Sequence, residues 1–224
     1  MILSLVKKQE ISTEIFEFWF KPKRPFSFIA GQYLEYTLSH PKPDSRGVKR
    51  YFTISSSPTE KNILITTRLS VPGSTFKKAL KNMKIGDKII ASKASGDFVL
   101  PADASKKIVF IAGGIGITPF RSITKYLLDT NQSGKIILLY GAKKKSDFVF
   151  KDIFDEAGQR FRMRTEYING SISENIIREK VEDLNSLFYI SGPEPMVENM
   201  EKILDNIGIS RRNIELDHFP GYKG

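Results

Sequence analysis

A chain of 224 residues, 40 % hydrophobic and 27 % charged, is long enough to bury one large core or two small ones. It contains no cysteine, which excludes disulfides, thiolate metal sites, iron–sulfur clusters and cysteine nucleophiles, and its two histidines, His40 and His218, stand far apart with no spaced partners for a metal. The net charge of +10 is uneven, with 17 Lys and Arg against 9 Asp and Glu in residues 1–104 and 18 against 16 in residues 105–224, so the first half invites an acidic partner, a nucleic acid or simply water.

The opening Met1 to Lys8 is too short and too early in its charge for a signal peptide, and no window approaches the length of a membrane span, so a cytoplasmic protein with no membrane partner is expected. Alternation then sets in. Ile15, Glu17 and Trp19 interleave with Phe16, Phe18 and Phe20, an earlier run at 2–6 is strand-like, and strands are predicted at 32–38, 50–55, 62–69 and 88–92, parted by Pro, Gly, Asp and Asn turns. About six short strands with one helix suggest a small antiparallel barrel. That helix, 75–83, has Ser74 as its cap and Phe76, Ala79, Leu80 and Met83 on one face.

Two stretches of this half are candidates for chemistry, with an ordinary strand bearing one exposed Arg and a simple capped helix as their respective alternatives. In Arg50-Tyr51-Phe52-Thr53 the spacing puts Arg50 and Phe52 on one strand face, a guanidinium shaped for phosphate beside a ring that can lie on a planar heterocycle. Thr53 can exchange a hydrogen bond with a ring nitrogen. In Gly73-Ser74-Thr75 the glycine permits close backbone approach, and two hydroxyls join the free N–H groups of the helix start as donors to a phosphate.

Pro101 to Ser105 breaks the pattern, and beyond it strands and helices alternate. Strands at 108–112, 136–140, 163–168, 187–191 and 214–217 with helices near 119–130, 147–157, 173–182 and 195–206 imply a parallel sheet covered on both faces. The expected architecture is therefore two-domain: an antiparallel β-barrel over 1–102, followed by an α/β parallel-sheet nucleotide-binding domain over 103–224. At the head of the second domain the apolar run Ile108 to Ala112 leads into Gly113-Gly114-Ile115-Gly116. Thr118 falls where an N-cap belongs and Pro119 at the first helical position, so free N–H groups face whatever fills the turn. Pro119 stands where the dinucleotide fingerprint has its third glycine, which leaves a tightly packed strand-turn-helix corner as the alternative.

Taken together these stretches resemble the ferredoxin–NADP⁺ reductase-like family of flavoproteins, over nearly all of the chain. Gly31-Gln32-Tyr33 is similar to the family's early G-Q-Y motif, Arg50 to Thr53 to its R-x-[YF]-[ST] flavin motif, and Gly73-Ser74-Thr75 to its pyrophosphate loop. Gly113 to Pro119 resembles its G-G-x-G-x-[TS]-P nicotinamide-nucleotide loop, and Gly192-Pro193 with Met196 its late G-P-x-x-M motif. The resemblance implies that Arg50, Ser74 and Thr75 hold the FAD pyrophosphate, Phe52 stacks by the isoalloxazine, and Thr53 bonds near N5. Gly114, Thr118 and Pro119 would receive NAD(P)H, and Gly192-Pro193 would flank the nicotinamide.

Ser191 stands where many relatives carry a Cys before the late G-P. Lys143-Lys144-Lys145 after Gly141 can neutralise a 2′-phosphate, a leaning toward NADPH over NADH, or can be a solvated turn. In the tail Glu215 to Tyr222, which resembles family C-termini, Asp217 would be a proton relay by the flavin and Tyr222 a cover for its open face. The implied activity is hydride transfer from NAD(P)H to FAD, or with less support FMN, and then single electrons to an outside acidic carrier such as a ferredoxin or flavodoxin. Alternatives are an electron-transfer subunit of a larger redox complex and, ranked low, a basic barrel that binds single-stranded nucleic acid.

Overall fold

The computed structural model describes residues 1–70, 73–101, 106–161 and 163–219. Its first half is a six-stranded antiparallel sheet of β1 (Ile2–Ser12), β2 (Ile15–Pro22), β3 (Tyr33–Thr37), β4 (Lys49–Thr53), β5 (Ile63–Arg68) and β6 (Lys88–Ala91), in the order β4-β3-β6-β1-β2-β5. The two ends of that order meet where the Ser55 N–H donates to the Leu64 carbonyl at 2.9 Å, so the sheet curls into a barrel. Phe18, Phe20, Leu34, Tyr36 and Ile65 fill it from inside, and helix α1 (Thr75–Asn82) buries Phe76 and Leu80 in the same core.

The second half is a five-stranded, wholly parallel sheet of β7 (Ile108–Gly113), β8 (Ile136–Ala142), β9 (Met163–Asn169), β10 (Leu187–Pro193) and β11 (Ile214–Phe219), in the order β11-β10-β7-β8-β9. Helices α2 (Thr118–Asp129), α3 (Lys151–Arg160), α4 (Glu174–Lys180) and α5 (Glu194–Asn206) cover its faces. Along β7, Phe110 and Ala112 enter the core shared with α2 and α3, while Val109 and Ile111 enter the opposite core, where α5 contributes Val197, Met200 and Leu204. Both faces are thus buried, which is why this strand reads as an unbroken apolar run.

The chain leaves β7 for β8 on one side and comes back to β10 on the other, so the C-terminal ends of β7 and β10 form the topological switch point of the sheet, where open α/β sheets bind ligands. The barrel docks on the α2 side, with Phe98 packing its ring against Phe120 and Tyr189 at 5.7 and 5.2 Å.

Three local expectations are corrected. The helix expected at 147–157 is α3 at Lys151–Arg160: a short 3-10 turn, Lys145–Asp147, ends where the buried Tyr140 hydroxyl donates to the Asp147 carbonyl and accepts the Val149 N–H, and Phe150 then turns left-handed at φ 63°. Thr118 is not an N-cap. A 3-10 turn, Gly114–Ile117, runs straight into α2 with Ile117 at the cap position, and the Thr118 hydroxyl donates back to the Ile115 carbonyl at 3.1 Å. Finally, the strand expected at 2–6 continues to Ser12, paired with β2 along that length. The expected boundary between 102 and 103 lies outside the described residues.

Candidate functional site

The first constituent is the start of α1. Ser74 caps it as expected, its side chain accepting the Lys77 N–H at 3.2 Å. The first helical amide, Thr75 N–H, is met by a carboxylate of this same chain: Asp44 Oδ2 accepts it at 3.1 Å, and Oδ1 accepts from the Arg50 guanidinium at 2.7 Å. The Thr75 hydroxyl accepts the Asp44 N–H and bonds His40. Burial alone would raise the Asp44 carboxyl, but the backbone N–H groups of Thr75 and Arg46 and the Arg50 side chain outweigh it and pull it down to about 2. A helix end and a guanidinium here hold one anion between them, as a phosphate site requires.

Arg50 also donates to the carbonyls of Arg46, Gly47 and Lys49 and lies over the Phe76 ring at 5.5 Å, while its Nε is buried with no partner. Phe52, on the same face of β4, is half-buried and leans on Tyr36 and Phe76. Thr53 is buried. Tyr51 faces the other way, exposed, its hydroxyl on Glu35 and its ring edge-on to Tyr33, so the structure parts it from Arg50 and Phe52.

Sequence reasoning overlooked Asp44 and Lys77. The Lys77 ammonium donates to the Arg68 carbonyl at 2.9 Å, and burial, followed by the charges of Arg46, Arg50 and Arg68, brings it down to about 7. Nothing in the local sequence separates it from Lys78 beside it, since only the docking of α1 decides which lysine is half-buried and which exposed. Asp44 had a weak signal in its Pro-Asp-Ser-Arg turn.

The second constituent is the switch point. Gly113, Gly116, Gly192 and Met196, distant in sequence, are in contact there: a Cβ on Gly116 would lie 2.1 Å from the Ser191 carbonyl oxygen, and one on Gly113 or Gly192 would strike the Met196 sulfur at 3.0 or 2.9 Å. Met196 therefore backs the two glycine turns from below. Gly114, at φ 53°, has open space where its side chain would be. Thr118 and Pro119 are buried at the start of α2, and Lys143, Lys144 and Lys145 are exposed beyond β8.

Beside this corner Asp217 on β11 pairs in register with Ser191 on β10, whose hydroxyl donates to its Oδ2 at 3.1 Å. Burial pushes the Asp217 carboxyl up to about 6 against the pull of Ser191 and His218 toward the charged form. Ser191 thus offers this carboxyl a hydroxyl donor. Tyr222 lies outside the described residues. Among those residues no group of three or more His, Asp or Glu side chains is arranged to hold a metal, and no helix is long and apolar enough to cross a membrane.

Comparison with known proteins matches one domain family to each half of the chain. An oxidoreductase FAD-binding domain family matches residues 2–99, and an oxidoreductase NAD-binding domain family matches residues 110–202. The chain is 30 % identical over 222 residues to oxidoreductase NAD-binding domain-containing protein 1 of Pongo abelii, covering 84 % of this chain and 70 % of that one. It is 25 % identical to flavohemoprotein A of Dictyostelium discoideum, covering 95 % of this chain but only 58 % of that protein. Ferredoxin-NADP⁺ reductase from Plasmodium falciparum shares the fold with a TM-score of 0.81 at 21 % identity, covering 97 % of this chain and 95 % of that one. The residues at the start of α1 fit a phosphate group, since they already hold an anion of the chain there and a buried guanidinium nitrogen still lacks a partner. By its two matched domains and its likeness to a relative 30 % identical over most of both chains, the chain belongs to the oxidoreductases that carry a FAD-binding and an NAD-binding domain.

Proposed function

We propose that this chain oxidises NAD(P)H through FAD and hands the electrons one at a time to an outside acidic carrier protein such as a ferredoxin or flavodoxin. One NAD(P)H is oxidised, two carriers each gain one electron, and one proton is released. FAD, when bound, supplies the step from a hydride pair to single electrons, and the chain supplies binding, orientation and a place for the proton. In this reading Arg50, Gly73, Ser74 and Thr75 hold the diphosphate, and Phe52 and Thr53 meet the isoalloxazine. Gly113, Gly114, Thr118, Pro119, Gly192 and Pro193 receive the nicotinamide nucleotide, Lys143 stands by its adenosine end, and Asp217 exchanges a proton at its carboxyl.

One observation carries the reading. The strand that bears Arg50 and Phe52 continues within three residues into backbone that is hydrogen-bonded to the first turns of α2: the Ser55 carbonyl accepts from Arg121 at 3.0 Å and the Ser56 carbonyl from Ser122 at 2.6 Å. Flavin motif and nucleotide corner are parts of one joint. The purified protein is expected to be yellow and to bleach with NAD(P)H, and then to reduce an added ferredoxin or flavodoxin. A colourless chain that ignores added FAD would reject the proposal. Titration with NADH and NADPH separately tests Lys143, because a 2′-phosphate contact predicts tighter binding of NADPH.

The chain spans less than three fifths of the flavohemoprotein it matches. A second reading makes it an electron-transfer unit of a larger redox complex. Copurification of a redox partner, with little activity toward free carriers, would favour that.

A further inference from the structure

The joint between the two halves is built around a buried charge. Arg121 in the first turns of α2 is 5 % exposed and reaches out of its own domain. It donates to both carboxylate oxygens of Glu60, with Nη2 to Oε1 at 3.0 Å, and to the Ser55 carbonyl. Its guanidinium lies between two rings, Trp19 from the barrel and Phe150 from the α/β half, each 5.7 Å from centroid to Cζ. Glu60 is itself fixed, since the same Oε2 accepts the Ser57 N–H at 2.7 Å. Ser55, Ser56 and Ser57 are fully buried.

A buried ion pair is a poor way to gain stability, because desolvation consumes most of the attraction, and an apolar pair of the same volume would hold two surfaces together at least as well. Here one guanidinium nitrogen, Nε, even stays buried without a partner. What a fork-shaped donor gripping a carboxylate and a carbonyl provides is direction: it fixes α2 in translation and rotation against the segment that follows Thr53. The residues so fixed on one side are those of the glycine corner at 113–119, and on the other those of the Arg50–Thr53 strand. Hydride transfer needs donor and acceptor atoms within about 3.5 Å in the right alignment, and a displacement near 1 Å costs on the order of 100-fold in rate.

We infer that Arg121, held by Glu60, Ser55 and the Trp19 and Phe150 rings, is a positioning residue that sets the approach of the nicotinamide to the flavin. It acts through the placement of α2. This deepens the reading above and rests on it.

The test is single-turnover reduction of the FAD-loaded protein by saturating NAD(P)H, followed by flavin absorbance, in wild type, Arg121→Lys and Glu60→Gln. Arg121→Lys keeps the charge but loses the fork, and Glu60→Gln keeps the shape but loses the charge. The expected result is a limiting reduction rate lowered at least tenfold in both, with the primary isotope effect from 4-deuterated nucleotide raised or kept. FAD affinity and the half-saturating nucleotide concentration should stay within threefold of wild type. A limiting rate within twofold of wild type in either folded variant would overturn the inference, as would parallel loss of FAD affinity and rate, the pattern of a merely structural strut. If Arg121→Lys does not fold, Glu60→Gln decides alone. Failure of the wild type itself to bind FAD or to be reduced would strike at the functional reading, and is thereby told apart.

Discussion

The Lys77 ammonium, brought down to about 7 by burial and by the charges of Arg46, Arg50 and Arg68, lies in the same helix start as the proposed diphosphate site. A diphosphate at the start of α1 would stabilise the charged ammonium and raise its pKa, so binding takes up a proton wherever the unliganded lysine is neutral. FAD affinity is therefore expected to fall as pH rises above about 7, by at most tenfold per pH unit, and to lose that slope in Lys77→Met; flavin fluorescence quenching at pH 6 to 9 measures it. Arg50→Ala removes a charge-assisted partner worth about 1.5–3 kcal/mol, so FAD retention should weaken by roughly 10- to 100-fold in equilibrium dialysis with the fold intact. Asp217 has the opposite character. Its folded carboxyl is raised to about 6, so between about 4 and 6 the native state binds more protons than the unfolded chain, and stability declines as pH rises through that window. The loss is at most about 3 kcal/mol and should vanish in Asp217→Asn, as denaturant titrations at pH 4 and 7 would show. If the carboxyl also relays a proton, the limb near pH 6 in the rate of NAD(P)H oxidation should disappear in the same variant.

Among the elements, the turn from β7 to α2 shows how differently placed glycines answer different demands. Gly116 presses against the Ser191 carbonyl with no room for a methyl group, whereas Gly114 has open space and needs only its left-handed φ. Gly116→Ala must push β10 away from the turn. It is expected to cost several kcal/mol or prevent folding, while Gly114→Ala should cost about 1 kcal/mol in stability and show its larger effect on nucleotide affinity, because the open space is where a ligand would come. Thermal unfolding and nucleotide titration of the two variants separate these outcomes. The helix itself is anchored by Phe120, stacked on Phe110 at 4.5 Å and fully buried, so α2 is held by packing on one side and by the Arg121 fork on the other.

For the whole molecule, the excess of positive charge lies in the barrel half, and it is long-range charge that steers an oppositely charged carrier to its docking face. Reduction of an acidic ferredoxin or flavodoxin should slow several-fold between 0.05 and 0.5 M salt, a range that takes the screening length from roughly 14 to 4 Å. Reduction of a small neutral acceptor such as a quinone should change little. Equal salt dependence for both would remove the case for an acidic docking partner.

Pattern and spacing alone carried the order of strands and helices, the two-domain plan and the glycine corners, because period-2 and period-3.6 burial and the demands of tight turns act on neighbours in the chain. Arg50, Ser74 and Gly113 could be picked out for the same reason, whereas Gly192 stood out only through the family resemblance. What only the tertiary structure decided depends on chain segments far apart: the contact of Gly116 with Ser191, the burial of Lys77 rather than Lys78, the turning of Tyr51 away from Phe52, and the carboxylate of Asp44 at the start of α1. Arg121 is the clearest instance. Beside the apolar stripe of Phe120, Ile123 and Leu127 a lone arginine reads as solvent-facing, and only the arrival of Glu60 and Trp19 from the other half makes its burial affordable.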